Sequence, residues 1–158
     1  MAGMYYEDFV PGAMIDHAIR RTVSEMDNIL FSALTYNCAP LHIDAEYSKT
    51  TIYGQRIVNS MFMLALVTGV TVIETTIGTT LGNLGMESIN FPKPVFHGDT
   101  IHVRTEVLSK RESKKRADSG IVMLKHVALN QRDEIVCECT RAALMLKRAA
   151  AVSATAKA

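Results

Sequence analysis

Asn37 and His42, five residues apart, are the pair in this 158-residue chain whose types and spacing best suit chemistry on a bound substrate. An unperturbed imidazole, with a pKa of about 6.5, takes and returns a proton near neutrality, so His42 suits a general acid–base. A carboxamide accepts and donates hydrogen bonds but is never a base at physiological pH, so Asn37 can orient a water or His42 and do no more. Asn37 equally suits a turn in which its side chain bonds its own backbone. Asp44 is a nearby carboxylate able to stand in as a base, and Cys38 is a weak candidate nucleophile. Ser60 and Thr68 fall on one long apolar segment, where their hydroxyls could serve a site or simply bond a carbonyl one turn back.

A second feature is charge. Lys110, Arg111, Lys114, Lys115 and Arg116 are five of the 17 basic residues, packed into seven positions. They make either a solvated connection between strands or a landing site for anionic phosphates through charge-assisted contacts. The formal net charge of +1 argues against a general nucleic-acid binder, and there is no Gly-rich phosphate loop. Cys38, Cys137 and Cys139 show no metal-ligand pattern, and neither do His17, His97, His102 and His126, so no metal is expected. An odd cysteine count without a secretory leader points to a reducing cytoplasm. The longest apolar run, 61–73, falls short of the ~20 residues a membrane span needs.

The elements that must position these residues follow from periodicity. A strand is expected over 14–23 and a helix over 24–35, where Ile29, Leu30, Ala33 and Leu34 keep helical spacing. Pro40 breaks that period, so 36–44 is a loop, after which Asp44 can cap a short helical turn. The segment 57–72 is apolar on nearly every side and calls for a helix, extending to about Thr75, that other structure encloses. Strands are expected over 85–91, 100–108, 120–130 and 134–147, with a tight turn at Asn130 to Asp133 and a longer link over 109–119. Ile101, Val103, Thr105 and Val107 alternate with His102, Arg104 and Glu106, giving one buried and one wet face. Cys137 and Cys139 share a strand face as core thiols, and Met61, Met63, Met86, Met123 and Met145 fill the core. The class is α+β: an antiparallel sheet curled around one helix, with an Ala-rich tail at 149–158.

A buried helix wrapped by a sheet, preceded by a loop ending in Pro40-Leu41-His42, resembles the hot dog fold. The run from Ala33 to Asp44 is similar to the signature of the MaoC-like, (R)-specific enoyl-CoA hydratase family, roughly Gly-Asp-x-Asn-Pro-[Leu/Ile/Val]-His. Pro40, Leu41 and His42 match it, whereas Tyr36, Asn37 and Ala39 stand at its Gly, Asp and Asn. Ile57-Val58-Asn59-Ser60-Met61 resembles the start of the family's central helix, and Pro94 to Thr100 its Pro-x-x-x-Gly-Asp-Thr turn. The resemblance implies one hot dog domain over 1–148.

What the resemblance further implies is addition of water to, or its removal from, the 2,3 position of an acyl-CoA thioester. His42 matches the catalytic His and Asn37 the catalytic Asp. Ser60 takes the place of the Gly whose amide binds the thioester oxygen, and Thr68 that of a hydroxyl that assists the loop. Three outcomes stay open: His42 works alone, another carboxylate substitutes, or hydration is lost. The form Thr35-x-Asn37-x-x-Pro40-Leu41-His42, with 107–114, looks most like hydratases of small branched or dicarboxylic acyl-CoA thioesters. No cofactor is implied beyond coenzyme A as part of the substrate. Partners are expected to be a second copy, in a homodimer or higher even oligomer, with neither nucleic acid nor membrane. An acyl-CoA thioesterase, for which the helix offers only Glu74, and a catalytically silent acyl-CoA-binding module are the alternatives.

Overall fold

The computed structural model describes residues 2–149. After a 3₁₀ turn at Tyr6–Asp8, the order is β1 (Met14–Asp16), β2 (Arg21–Thr22), α1 (Glu25–Leu34), α2 (Pro40–Ile43), α3 (Ala45–Lys49) and α4 (Ser60–Thr75). Four strands follow: β3 (Thr80–Asn90), β4 (Thr100–Glu112), β5 (Ser119–Leu129) and β6 (Ile135–Leu146). The sheet is antiparallel and open, in the order β1-β4-β5-β6-β3, with β2 also pairing β4. Except for Ala149, the expected tail at 149–158 lies outside the described residues.

The expected alternation on β4 holds: Ile101, Val103, Thr105 and Val107 are buried, and Cys137 and Cys139 of β6 are buried beside them. Met63, Val67 and Val70 of α4 pack onto this face with Val58, Val95 and Val136. Met63 and Met145 fill the core as expected, but Met61 is 49% exposed, as α4 is not enclosed on every side. Ile73, at 57%, opens on the same helix.

Four element boundaries differ from expectation: β4 runs on to Glu112, paired with β5 where a link was expected from 109, and three others differ for local reasons. The strand expected over 14–23 breaks between β1 and β2, because Ala18 N–H donates to Glu74 Oε1 at 3.0 Å instead of to the ladder. Helix α4 starts at Ser60, not 57, since Ile57 and Val58 spend their N–H groups on Leu41 and Val95 carbonyls at 3.3 and 2.8 Å. Strand β3 starts at Thr80, earlier than expected, and runs along an edge with three register shifts against β6. A capping box opens α1, with Asp27 N–H on Ser24 Oγ at 3.2 Å and Ser24 N–H on Asp27 Oδ2 at 2.8 Å. The inward face of α1 is polar, however: Asn28 and Ser32 are buried, while Leu30 and Leu34 are exposed.

Between α4 and the sheet lies a polar chain that the spacing of the histidines did not announce. Arg141 Nε donates to His126 Nε2 at 2.7 Å, so the neutral His126 ring carries its proton on Nδ1. That Nδ1–H donates to Thr105 Oγ1 at 2.8 Å, which leaves the threonine hydroxyl proton available to a neutral His17 Nε2 at 2.7 Å. His17 Nδ1–H then donates to the Glu74 carboxylate. Arg141 is a donor only and cannot accept, so it fixes the His126 tautomer at this end of the chain. Burial and the Arg141 charge push the His126 pKa down to about 3.

Candidate active site

The loop carrying His42 is built from short-range bonds. Tyr36 takes a positive φ of 55° after α1, and Asn37 N–H donates back to Ser32 O at 2.9 Å. Asn37 Oδ1 accepts Ala39 N–H at 3.2 Å, the side-chain turn that its residue type allows. Pro40 then opens α2, its fixed φ and missing N–H suiting a first helical position. Thus 36–44, expected to be loop throughout, contains one short helix with His42 in its last turn.

His42 is half-buried, and its Nδ1 lies 3.0 Å from the Ile57 carbonyl oxygen. A carbonyl only accepts, so Nδ1 bears the proton and the neutral ring presents Nε2 as an acceptor and base. Ile57 stands three residues before Ser60, the first residue of α4. Asn59 caps this helix by accepting Met61 N–H at 3.0 Å, whereas the Ser60 N–H, at the first helical position, has no intrahelical acceptor. The aligned peptide dipoles of the 16-residue helix place roughly half a positive charge at this end. Beside it is a cavity of about 200 Å³ lined by Tyr53, Ser60, Met63, Phe91, Lys93 and Val136. A second, of about 510 Å³, is lined by Ile29, Ser32, Ala33, Tyr36, Asn37 and Ile43.

The other predicted residues are placed differently. Thr68 Oγ1 bonds the carbonyls of Leu64 and Ala65 at 3.1 and 3.0 Å, one turn back on its own helix, and not the loop. Glu74 is held by His17 and the Ala18 N–H at the far end of α4. Cys38 is exposed. Lys110 donates to the Tyr6 and Glu7 carbonyls, and Arg111, Lys114, Lys115 and Arg116 rim a cavity of about 380 Å³ floored by Leu84, Ile121 and Leu144. This cluster is at the opposite end of β4 from the His42 site, which meets the strand near Thr100 through His97 and Asp99. At ~3.4 Å per residue the 13 residues of β4 span at most roughly 40 Å, and no described residue lines both the cavity at this cluster and either of the two near His42.

Residues 8–128 match the family described as MaoC like domain. The chain belongs to this MaoC-like family. This chain is 32% identical over 155 residues, 98% of its length, to a protein named mesaconyl-CoA hydratase from Cereibacter sphaeroides, of which it covers 45%. It is 30% identical to a beta-methylmalyl-CoA dehydratase from Chloroflexus aurantiacus, over 92% of this chain and 41% of that protein. The chain therefore spans less than half the length of these two relatives. An (R)-specific enoyl-CoA hydratase from Rhodospirillum rubrum is also 30% identical, over 70% of this chain and 74% of that one. Among solved structures, a protein titled monoamine oxidase regulatory protein from Archaeoglobus fulgius superposes with a TM-score of 0.81 at 34% identity, covering 92% of this chain and 95% of that one. A Mycobacterium tuberculosis protein described as a double hot dog fold superposes at 0.82 with 21% identity, over 92% of this chain and 44% of that one, so the fold is hot dog.

Two residues at the site of this MaoC-like domain escaped the sequence reading. Asn28 bonds the His42 carbonyl and, at the α4 entry, the Asn59 N–H, and His97 meets Asn28, whose Nδ2 is 3.0 Å from His97 Nε2. Burial and the nearby Arg56 charge hold the His97 pKa below its ordinary value, consistent with a ring nitrogen that accepts. Their one sequence signal was polar spacing, Asn28 and Ser32 at i and i+4 on one helix face.

Proposed function

We propose that this MaoC-like domain adds water across, or removes it from, the 2,3 double bond of an acyl-CoA thioester. The observation that carries this reading is the His42 Nδ1–H bond to Ile57 O, which leaves Nε2 as the unprotonated nitrogen and ties His42 to a residue that lines the small cavity together with Ser60. In the hydration direction His42 Nε2 takes a proton from water as the hydroxyl adds to C3. The electron pair moves to the thioester oxygen, where the Ser60 N–H and the positive helix end stabilise it. Collapse of that charge with protonation at C2 completes the addition, and His42 returns the proton it took. Asn37 orients the water through its carboxamide while its Oδ1 keeps the Ala39 turn. The chemistry calls for no cofactor beyond the coenzyme A of the substrate.

The small cavity suits a short acyl group, branched or dicarboxylic, in keeping with the mesaconyl and methylmalyl names of two relatives; a second carboxylate would have to compete for Lys93 on its wall with Glu134, 2.6 Å away. Arg111, Lys114 and Lys115 take the coenzyme A phosphates of a thioester whose acyl end lies at His42 of a second copy, since Lys110 is spent on the Tyr6 and Glu7 carbonyls, Arg116 on Asp118, and the cluster and His42 sit at opposite ends of β4 within one chain. The edge strand β3, with Leu81, Leu84 and Ile89 exposed, offers the pairing surface for that copy.

Purified protein assayed with crotonyl-CoA and mesaconyl-CoA is expected to lose the conjugated-thioester absorbance, and H42A to lose activity by ~100-fold or more. Release of free thiol would indicate a thioesterase, and binding without turnover a silent module. Hydration undiminished in H42A would refute the acid–base role.

A further inference from the structure

Asn28 is fully buried at 0% exposure in the middle of α1, and its carboxamide touches both halves of the site. Its Oδ1 accepts the Asn59 N–H at 2.9 Å, at the cap residue of α4. Its Nδ2 lies 3.0 Å from the His42 carbonyl, 3.2 Å from the Ile57 carbonyl and 3.0 Å from His97 Nε2. Two amide hydrogens thus serve three acceptors, one of them shared. The Ile57 oxygen is the same atom that holds His42 Nδ1–H.

We propose that Asn28 is the positioning residue of this site: one carboxamide fixes His42 through the His42 and Ile57 carbonyls and fixes the start of α4 through Asn59. Only an amide does both, because one edge must donate to two carbonyls while the other accepts a backbone N–H. A carboxylate presents no donor to the carbonyls, and a hydroxyl lacks the reach to span them. The amide orientation is itself dictated, since a flipped carboxamide would aim its oxygen at two carbonyl oxygens and its NH₂ at the Asn59 N–H. The consequence is a fixed tautomer: the Ile57 oxygen, held by Asn28, keeps the His42 proton on Nδ1 and Nε2 free.

The catalytic consequence rests on the hydratase reading, but the positioning does not, and the test separates them. ¹⁵N-histidine NMR reads the His42 tautomer directly, alongside steady-state kinetics on crotonyl-CoA. Two variants are compared, N28A, which deletes the amide, and N28D, which keeps its shape and the acceptor for Asn59 while removing the donors. Wild-type His42 is expected to show the Nδ1–H tautomer alone. Both variants, folded by circular dichroism, are expected to show tautomer-averaged shifts, with kcat down roughly 100-fold and KM within about twofold. If folded N28A and N28D keep the wild-type tautomer, the proposal is overturned, whether or not the protein turns over any thioester. If the tautomer changes as expected while the wild-type protein hydrates nothing, the positioning role stands and the hydratase reading falls.

Discussion

His126 offers the sharpest quantitative test of how α4 is held on the sheet. It is fully buried, its Nε2 accepts from Arg141 and its Nδ1–H is committed to Thr105, so an added proton has nowhere to go without breaking the bond to Arg141. Arg141 and His17 are the charged and titratable groups facing it, and burial and the Arg141 charge set its pKa at about 3. An unfolded histidine titrates at about 6.5, so between pH ~6.5 and ~3 the unfolded chain binds a proton that the folded chain refuses. Stability therefore falls as pH drops below about 6.5, at up to ~1.4 kcal/mol per unit, and the loss levels off near the folded value. At about pH 5 this one residue costs ~2 kcal/mol relative to about pH 7. The control is H126Q, whose side chain can accept from Arg141 and donate to Thr105 without titrating. Urea unfolding at about pH 7 and about pH 5 should show wild type losing ~2 kcal/mol more than H126Q over that interval. His97 and His102, whose pKa values burial also lowers, are present in both proteins and cancel in the comparison. A difference below ~0.5 kcal/mol would mean that the Arg141–His126 bond does not keep the ring neutral, and the His126 tautomer that Arg141 fixes would be wrong.

The remaining predictions concern the site. N37D keeps the Oδ1 acceptor for Ala39 and supplies the missing carboxylate, so crotonyl-CoA hydration should rise at least ~10-fold; a fall would assign the amide a specialised part in substrate choice. K114E/K115E should raise KM for acyl-CoA thioesters ~10-fold at low salt, less at high salt, with kcat kept; an unchanged KM removes the phosphate contact. Mixing inactive H42A chains with high-KM K114E/K115E chains should return roughly a quarter of the sites to the wild-type KM if each site joins residues from two copies, and none if it does not.

Much of this organisation was legible in residue order, and what was missed has a common cause. The β4 alternation, the core thiols at Cys137 and Cys139, the Ser24–Asp27 capping box and the Asp44 cap on α3 are local or period-two patterns, and all appear in the fold. The position of His42 beside the α4 entry followed from family resemblance rather than from spacing. Invisible were the long-range polar partners: Asn28 meets Asn59, Ile57 and His97, and His126 meets Arg141 and Thr105, across separations that no periodicity encodes. The apolar residues of α1 misled for the opposite reason. Ile29, Leu30, Ala33 and Leu34 keep helical spacing, yet Leu30 and Leu34 face outward while the helix buries Asn28 and Ser32. A helix whose inner face is polar announces a site, because burying an amide is unfavourable unless every one of its hydrogen bonds is met.

The two polar systems together explain how one helix serves the chemistry. Helix α4 must present its first turn at a fixed place, and its apolar burial against a sheet of valines and small residues is non-directional. Register is instead imposed by directional bonds near each end. At the start, Asn28 binds the cap residue Asn59 and the Ile57 carbonyl. Toward the other end, Glu74 takes His17 and the Ala18 N–H, and Thr71 lies 3.4 Å from Arg141 Nη2. A shift of α4 by one residue would break both sets at once and leave buried donors unpaired, at roughly 1–3 kcal/mol each. The same argument separates their roles: loosening the His126 chain should lower stability while leaving His42 oriented, whereas loosening Asn28 should free His42 first.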